Sequence, residues 1–193
     1  MNICIFGDSI TEGYYDEEKN GWVNRLKAIF SDDEICNLGI SGDSTEDLLK
    51  RFDADIKDKN PEMIIFAIGT NDSVYLPAEK RNYVDFNKFN ENLKTLIEKS
   101  RQFTSNIVFV GLTPVDESLT KPIPWEIEMH YTNEEIGKYN KAIRQICEDE
   151  KLKFIDIFDD LASINYKEML SDGLHPNAVG HEWMANKIAK ELK

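Results

Sequence analysis

The chain has 193 residues, the size of about one domain, and 41% of them are hydrophobic, enough for one continuous core. Its formal charge is −13. That excess of acid repels nucleic acid and anionic membrane surfaces, both polyanions, so neither is expected as a partner.

The opening MNICIFGDS has no basic leader, no long apolar region and no small-residue cleavage site. No run approaches the roughly 18 apolar residues of a membrane helix, so a cytoplasmic protein without membrane insertion is expected. The cysteines, Cys4, Cys36 and Cys147, are odd in number and lack CxxC spacing. They read as small buried thiols in a reducing compartment.

The first apolar run, NICIF (2–6), reads as a strand that stops at Gly7, Asp8 and Ser9. WVNRLKAIF begins an amphipathic helix. EICNL (34–38) is a second strand, followed by GISGDST with Gly39 and Gly42. STEDLLKRFDADI is a helix with Ser44 and Asp47 placed as a capping box. MIIFAIG (63–69) is a third strand that runs into GTND, holding Gly69, Asn71 and Asp72. FNKFNENLKTLIEKSR supplies the next helix and NIVFVGL (106–112) the fourth strand. The segment VDESLTKPIPWEIEMHYTN (115–133) then breaks the rhythm. It carries two prolines with Trp125, His130 and Tyr131, and loops of that length are commonly functional or disordered. NEEIGKYNKAIRQICEDEK is helical, KFIDIF (153–158) is the fifth strand, and SDGLHP sets Asp172 and His175 ahead of the last helix. Pro176 is expected at that helix's first position.

Strands this continuously apolar suit a parallel sheet buried on both faces. Five of them alternating with helices predict a single α/β domain over residues 1–193. It should be doubly wound and three-layered (α/β/α), with a five-stranded parallel sheet in the flavodoxin-like order 2-1-3-4-5.

Ligands of such sheets bind beyond the carboxyl ends of the strands. Each residue there has a plain reading of its own. Ser9 with Glu12 resembles a capping box, and Gly42 a strand-ending turn. Asn71-Asp72 resembles an Asx turn and Asp172-Gly173 an ordinary turn pair. His130 reads as a loop residue and His181 as a surface or packing residue. Yet a hydroxyl, a backbone amide, a carboxamide, an acid and an imidazole converge on one edge, which together are the parts of an acyl-transfer site. An acid three residues before His175 can accept from one imidazole nitrogen and leave the other aimed at Ser9.

The blocks GDSITEG, NLGISGD, GTND and DGLHP, in this order from Gly7 to about Glu182, resemble those of the SGNH hydrolases, the GDSL-type esterases and lipases. The resemblance implies Ser9 as nucleophile, His175 as general base and Asp172 as orienting acid. It implies an oxyanion hole from the Ser9 and Gly42 backbone N–H groups and the Asn71 side chain, with Gly39 as the alternative to Gly42. The expected activity is hydrolysis of a small-molecule ester or thioester, with no metal and no organic cofactor. Asp8, Trp125, His130 and Tyr131 are expected around the substrate, with residues 73–83 as a facing wall. A non-catalytic acyl or carbohydrate binder on the same scaffold is the main rival. A nucleotide or flavin binder lacks its GxGxxG fingerprint, an aspartyl phosphatase would want an acid where Ile10 stands, and metal-assisted hydrolysis through Asp8, Asp172 and His175 is a further alternative.

Overall fold

The structure, a computed structural model, describes residues 1–16 and 21–193. In chain order its elements are β1 (Asn2–Gly7), α1 (Ser9–Glu12), α2 (Gly21–Ile29), β2 (Glu34–Gly39), α3 (Thr45–Ile56) and β3 (Met63–Ala67). There follow β4 (Tyr75–Leu76), β5 (Arg81–Asn82), α4 (Phe86–Ser100), β6 (Ile107–Val110), α5 (Glu117–Thr120) and α6 (Asn133–Glu150). The chain ends with β7 (Lys153–Ile155), α7 (Phe158–Ala162), a 3₁₀ turn at Tyr166–Met169 and α8 (Ala178–Leu192).

The main sheet runs β2-β1-β3-β6-β7, parallel throughout. Counting only its own strands, this is the expected order 2-1-3-4-5. The period-2 alternation of a strand sends neighbouring side chains to opposite faces. Cys4, Phe6, Ile64, Phe66 and Phe109 therefore enter one core with Leu48 and Phe52 of α3, Leu93 of α4 and Ile143 of α6. Ile3, Ile5, Ile65 and Val108 enter the other with Trp22 and Leu26 of α2 and Ile188 of α8. Each such fully buried side chain contributes on the order of 1.5–3 kcal/mol. The Ser44–Asp47 capping box is present at the start of α3. All three cysteines are free thiols. Burial pushes the Cys4 thiol up to about 11 and the Cys147 thiol up to about 12.

Three strands are shorter than their apolar runs. Ile68, Leu112 and Ile157 stay buried but lie outside the ladder. The chain leaves the sheet before the hydrophobicity ends, because Gly69 turns at φ +133° and Gly111 packs against Asn140. Pro176 is not the first residue of the last helix. Asn177 caps α8, its side chain accepting from the Val179 and Gly180 N–H groups at 3.0 and 3.1 Å, so the helix begins two residues later than expected. No helix among the described residues is long and apolar enough to cross a membrane.

Residues 73–83 form a hairpin, Tyr75 pairing with Asn82. Tyr75 also pairs with His130, which joins the hairpin to the 115–133 segment.

Candidate active site

Gly7 ends β1 where no side chain fits. A Cβ there would meet the Thr11 hydroxyl at 2.1 Å and the Ala67 carbonyl at 2.5 Å. The next residue, Asp8, caps α1 by accepting from the Ile10 N–H at 3.0 Å. Ser9 is therefore the first helical residue rather than the cap, and its hydroxyl is not engaged by its own helix. Glu12 does not complete a capping box either. It accepts from the Ser41 N–H at 2.8 Å, tying the loop after β2 to the turn that carries Ser9.

The Ser9 Oγ lies 2.9 Å from His175 Nε2, and His175 Nδ1 lies 2.8 Å from Asp172 Oδ2. A carboxylate only accepts, so Nδ1 carries the proton and Nε2 of the neutral ring is the acceptor facing the hydroxyl. Asp172 Oδ1 accepts the backbone N–H groups of Leu174 at 2.9 Å and His175 at 2.8 Å, which folds the Asp172–His175 turn around the carboxylate. Burial works to raise the Asp172 pKa, but the bonds from His175 outweigh it and hold the group below the ordinary carboxylate range. The turn is braced from outside, as the Gly173 carbonyl accepts from Asp116 N–H at 2.8 Å.

Gly42 sits in the loop between β2 and α3 at φ +85°, and a Cβ built there would meet nothing within 4 Å. The Asn71 side chain donates to the Asp43 carbonyl at 2.9 Å and accepts from the Tyr131 hydroxyl at 2.9 Å. Gly42, Asn71, Ser9 and His175 line one cavity of about 440 Å³. A second lobe of about 360 Å³ shares Gly42, Asn71, Trp125 and Tyr131 and extends over Val74, Tyr83, Ile123 and Met129. A larger groove of about 790 Å³ along α6, lined by Phe86, Lys138 and Phe158, contains none of the residues at the Ser9–His175 contact.

Not every expected neighbour reaches this cavity. Asp8 is buried beneath the Ser9 turn and lines neither lobe. Burial raises its pKa to about 6 against the opposing pull of Ile10 N–H and His175. His130 is spent on the sheet-like pairing of its backbone with Tyr75, at 2.9 and 3.0 Å, and also lines neither lobe. Gly39 gives its N–H to Asn37 Oδ1 at 3.0 Å and packs against the end of α1, so its donor is not available to a ligand. Trp125 does reach the site, its ring stacked 6.4 Å from that of His175. The expected wall at 73–83 contributes Val74 and Tyr83. His181 is fully buried, its Nε2 donating to the Tyr14 carbonyl at 3.2 Å, and burial lowers its pKa to about 4.

Tyr14 and Tyr15 were not anticipated, and both rings lie 5.4 Å from that of His175. Their signal is the Gly13 that precedes them: at φ +102° it ends α1 and throws the chain back over the site. Among the described residues no group of three or more His, Cys, Asp or Glu side chains is arranged to hold a metal ion.

A model of the GDSL-like lipase/acylhydrolase family matches residues 5–183. An uncharacterized lipoprotein, YqeF of Bacillus subtilis, is 36% identical over 60% of this chain, a match that spans half of that protein's length. An acetylxylan esterase from Geobacillus stearothermophilus is 23% identical over 98% of this chain and 93% of its own. Its crystal structure superposes with a TM-score of 0.77, and structures described as catalytic mutants of it replace a serine, an aspartate or a histidine by alanine. A lipase/acylhydrolase from Enterococcus faecalis, 25% identical over 100% of this chain and 95% of its own, superposes with a TM-score of 0.82.

Proposed function

We propose, on the premise that the chain belongs to the GDSL-like lipase/acylhydrolase family, that it hydrolyses uncharged esters of small acyl groups through an acyl-enzyme formed on Ser9. The contact of 2.9 Å between the Ser9 hydroxyl and His175 Nε2 carries this reading. His175 takes the Ser9 proton as the oxygen attacks the carbonyl carbon, and Asp172 keeps the imidazole in the tautomer that can accept it. The negative charge that develops on the carbonyl oxygen meets the Ser9 and Gly42 N–H groups and the Asn71 amide, each donor worth roughly 10²–10³ in rate. His175 then gives its proton to the leaving oxygen, the alcohol departs, and a water deprotonated by the same ring releases the acid. These steps ask for no metal or organic cofactor.

The restriction to uncharged substrates is supported by the lining of the cavity. Among the described residues neither lobe is lined by a lysine or an arginine, and Glu126 is the one charged residue facing the second lobe. With a formal charge of −13 on the whole chain, a polyanionic leaving group such as a nucleotide thiol would be repelled. The likeness to an acetylxylan esterase supports a short acyl group on a neutral alcohol. The test is hydrolysis of p-nitrophenyl acetate, butyrate and octanoate by wild type and Ser9→Ala. Turnover by wild type alone is expected, and equal background rates would leave a binding protein on the same scaffold.

A further inference from the structure

A primary amide that serves an oxyanion has a weakness of its own. Rotated by half a turn, it presents its oxygen, an acceptor, to the developing negative charge. The surroundings of Asn71 forbid that rotation. The Asp43 carbonyl can only accept, so the amide nitrogen must face it, at 2.9 Å. The oxygen of the same amide is then turned to the Tyr131 hydroxyl, which donates at 2.9 Å. One N–H of Asn71 is spent on Asp43, and the second is left for the cavity that Asn71 shares with Gly42 and Ser9.

We infer that Tyr131 is a positioning residue, which clamps the Asn71 carboxamide so that its unspent N–H faces the oxyanion; the inference rests on the proposed ester hydrolysis. Its ring is buried, and its backbone is pinned on both sides: its N–H donates to the Thr120 carbonyl at 3.0 Å, and its carbonyl accepts the Thr120 hydroxyl at 2.8 Å. The phenol therefore arrives at Asn71 from a fixed direction. Burial, with the charges of Asp8 and Asp172, pushes the phenol above its ordinary pKa, so it stays a donor through the neutral range. Donation into the amide oxygen also polarises the amide and strengthens the N–H that remains.

The same ring lines both lobes of the cavity, so contact with substrate is the competing role, and kinetics separates the two. Wild type, Tyr131→Phe, Asn71→Ala and the double variant form a cycle, with Ser9→Ala as the background and p-nitrophenyl esters of three chain lengths as substrates. Tyr131→Phe is expected to lower kcat by roughly 10- to 100-fold, less than loss of a whole donor, with KM changed by less than about twofold. In the Asn71→Ala background the same substitution is expected to change kcat by less than about twofold, since there is no amide left to hold. Unfolding curves of the four proteins check that each is folded. A kcat loss that persists undiminished in the Asn71→Ala background overturns the inference. So does an unchanged kcat, or a shift in KM and chain-length preference in its place. Wild-type turnover no faster than Ser9→Ala removes the proposed function and this inference with it, whereas turnover by wild type without the non-additivity removes the inference alone.

Discussion

Asp72 accepts hydrogen bonds from the backbone and hydroxyl of Thr45, yet burial raises its pKa to about 7. An unfolded aspartate titrates near 3.9, so between about pH 4 and 7 the native state binds more protons than the unfolded one. The stabilisation this gives is fully present below about pH 4 and is lost as the pH rises through 7. Asp72→Asn removes the titration, so its unfolding midpoint relative to wild type should rise steadily from pH 4 to pH 7. Thermal melts across that range check this, and a difference that stays flat with pH overturns it. At this scale the meeting of Ser9, His175 and Asp172 was legible because hydroxyl, imidazole and acid stand directly at strand ends and helix starts. Tyr14 and Tyr15 were not, since two aromatics after a glycine look the same whether they pack inward or flank a cavity. Glu12 was misleading for a related reason: its spacing from Ser9 fits a local cap, while its actual partner, Ser41, lies 29 residues away.

The segment between β6 and α6 contributes Ile123, Trp125, Glu126, Met129 and Tyr131 to the second lobe of the cavity. In the proposed mechanism His175 protonates the leaving oxygen, so the alcohol is expected beside Tyr14 and Tyr15, and the acyl chain on the opposite side, in the lobe of Val74, Ile123 and Met129. Ile123→Trp and Met129→Trp should each fill that lobe and lower the rate on octanoyl esters relative to acetyl esters by at least about tenfold, the scale on which apolar pockets discriminate chain length. Kinetics on an ester series checks it, and an unchanged ratio sinks the assignment. The length and prolines of this segment flagged it in the sequence, and the long helices and the five sheet strands were legible from periodicity, while the strand order was expected only by likeness to flavodoxin-like sheets. Its internal order was not, because it is set by tertiary bonds: Asn133 to the Val115 backbone and Thr120 to Tyr131. The strand ends overshot for a different reason. Hydrophobicity reports burial, and Ile68, Leu112 and Ile157 remain buried after the chain has left the sheet.

Over the molecule as a whole, charge becomes a kinetic quantity. With −13 on the chain and no lysine or arginine among the described residues lining either lobe, slow cleavage of an acyl-coenzyme thioester should accelerate with added salt as repulsion is screened over a Debye length of about 10 Å at 0.1 M. A neutral ester should show no such dependence. Stopped-flow rates at several ionic strengths check the contrast, and equal salt slopes for the two substrates would contradict it. The Ser9–His175 contact has a consequence in time as well. Its partners are separated by 166 residues, and the turn bearing the imidazole leads directly into α8. In the proposed mechanism Ser9 has no base until the Asp172–His175 turn has docked beside it, so recovery of turnover after dilution from denaturant should never precede formation of that long-range contact.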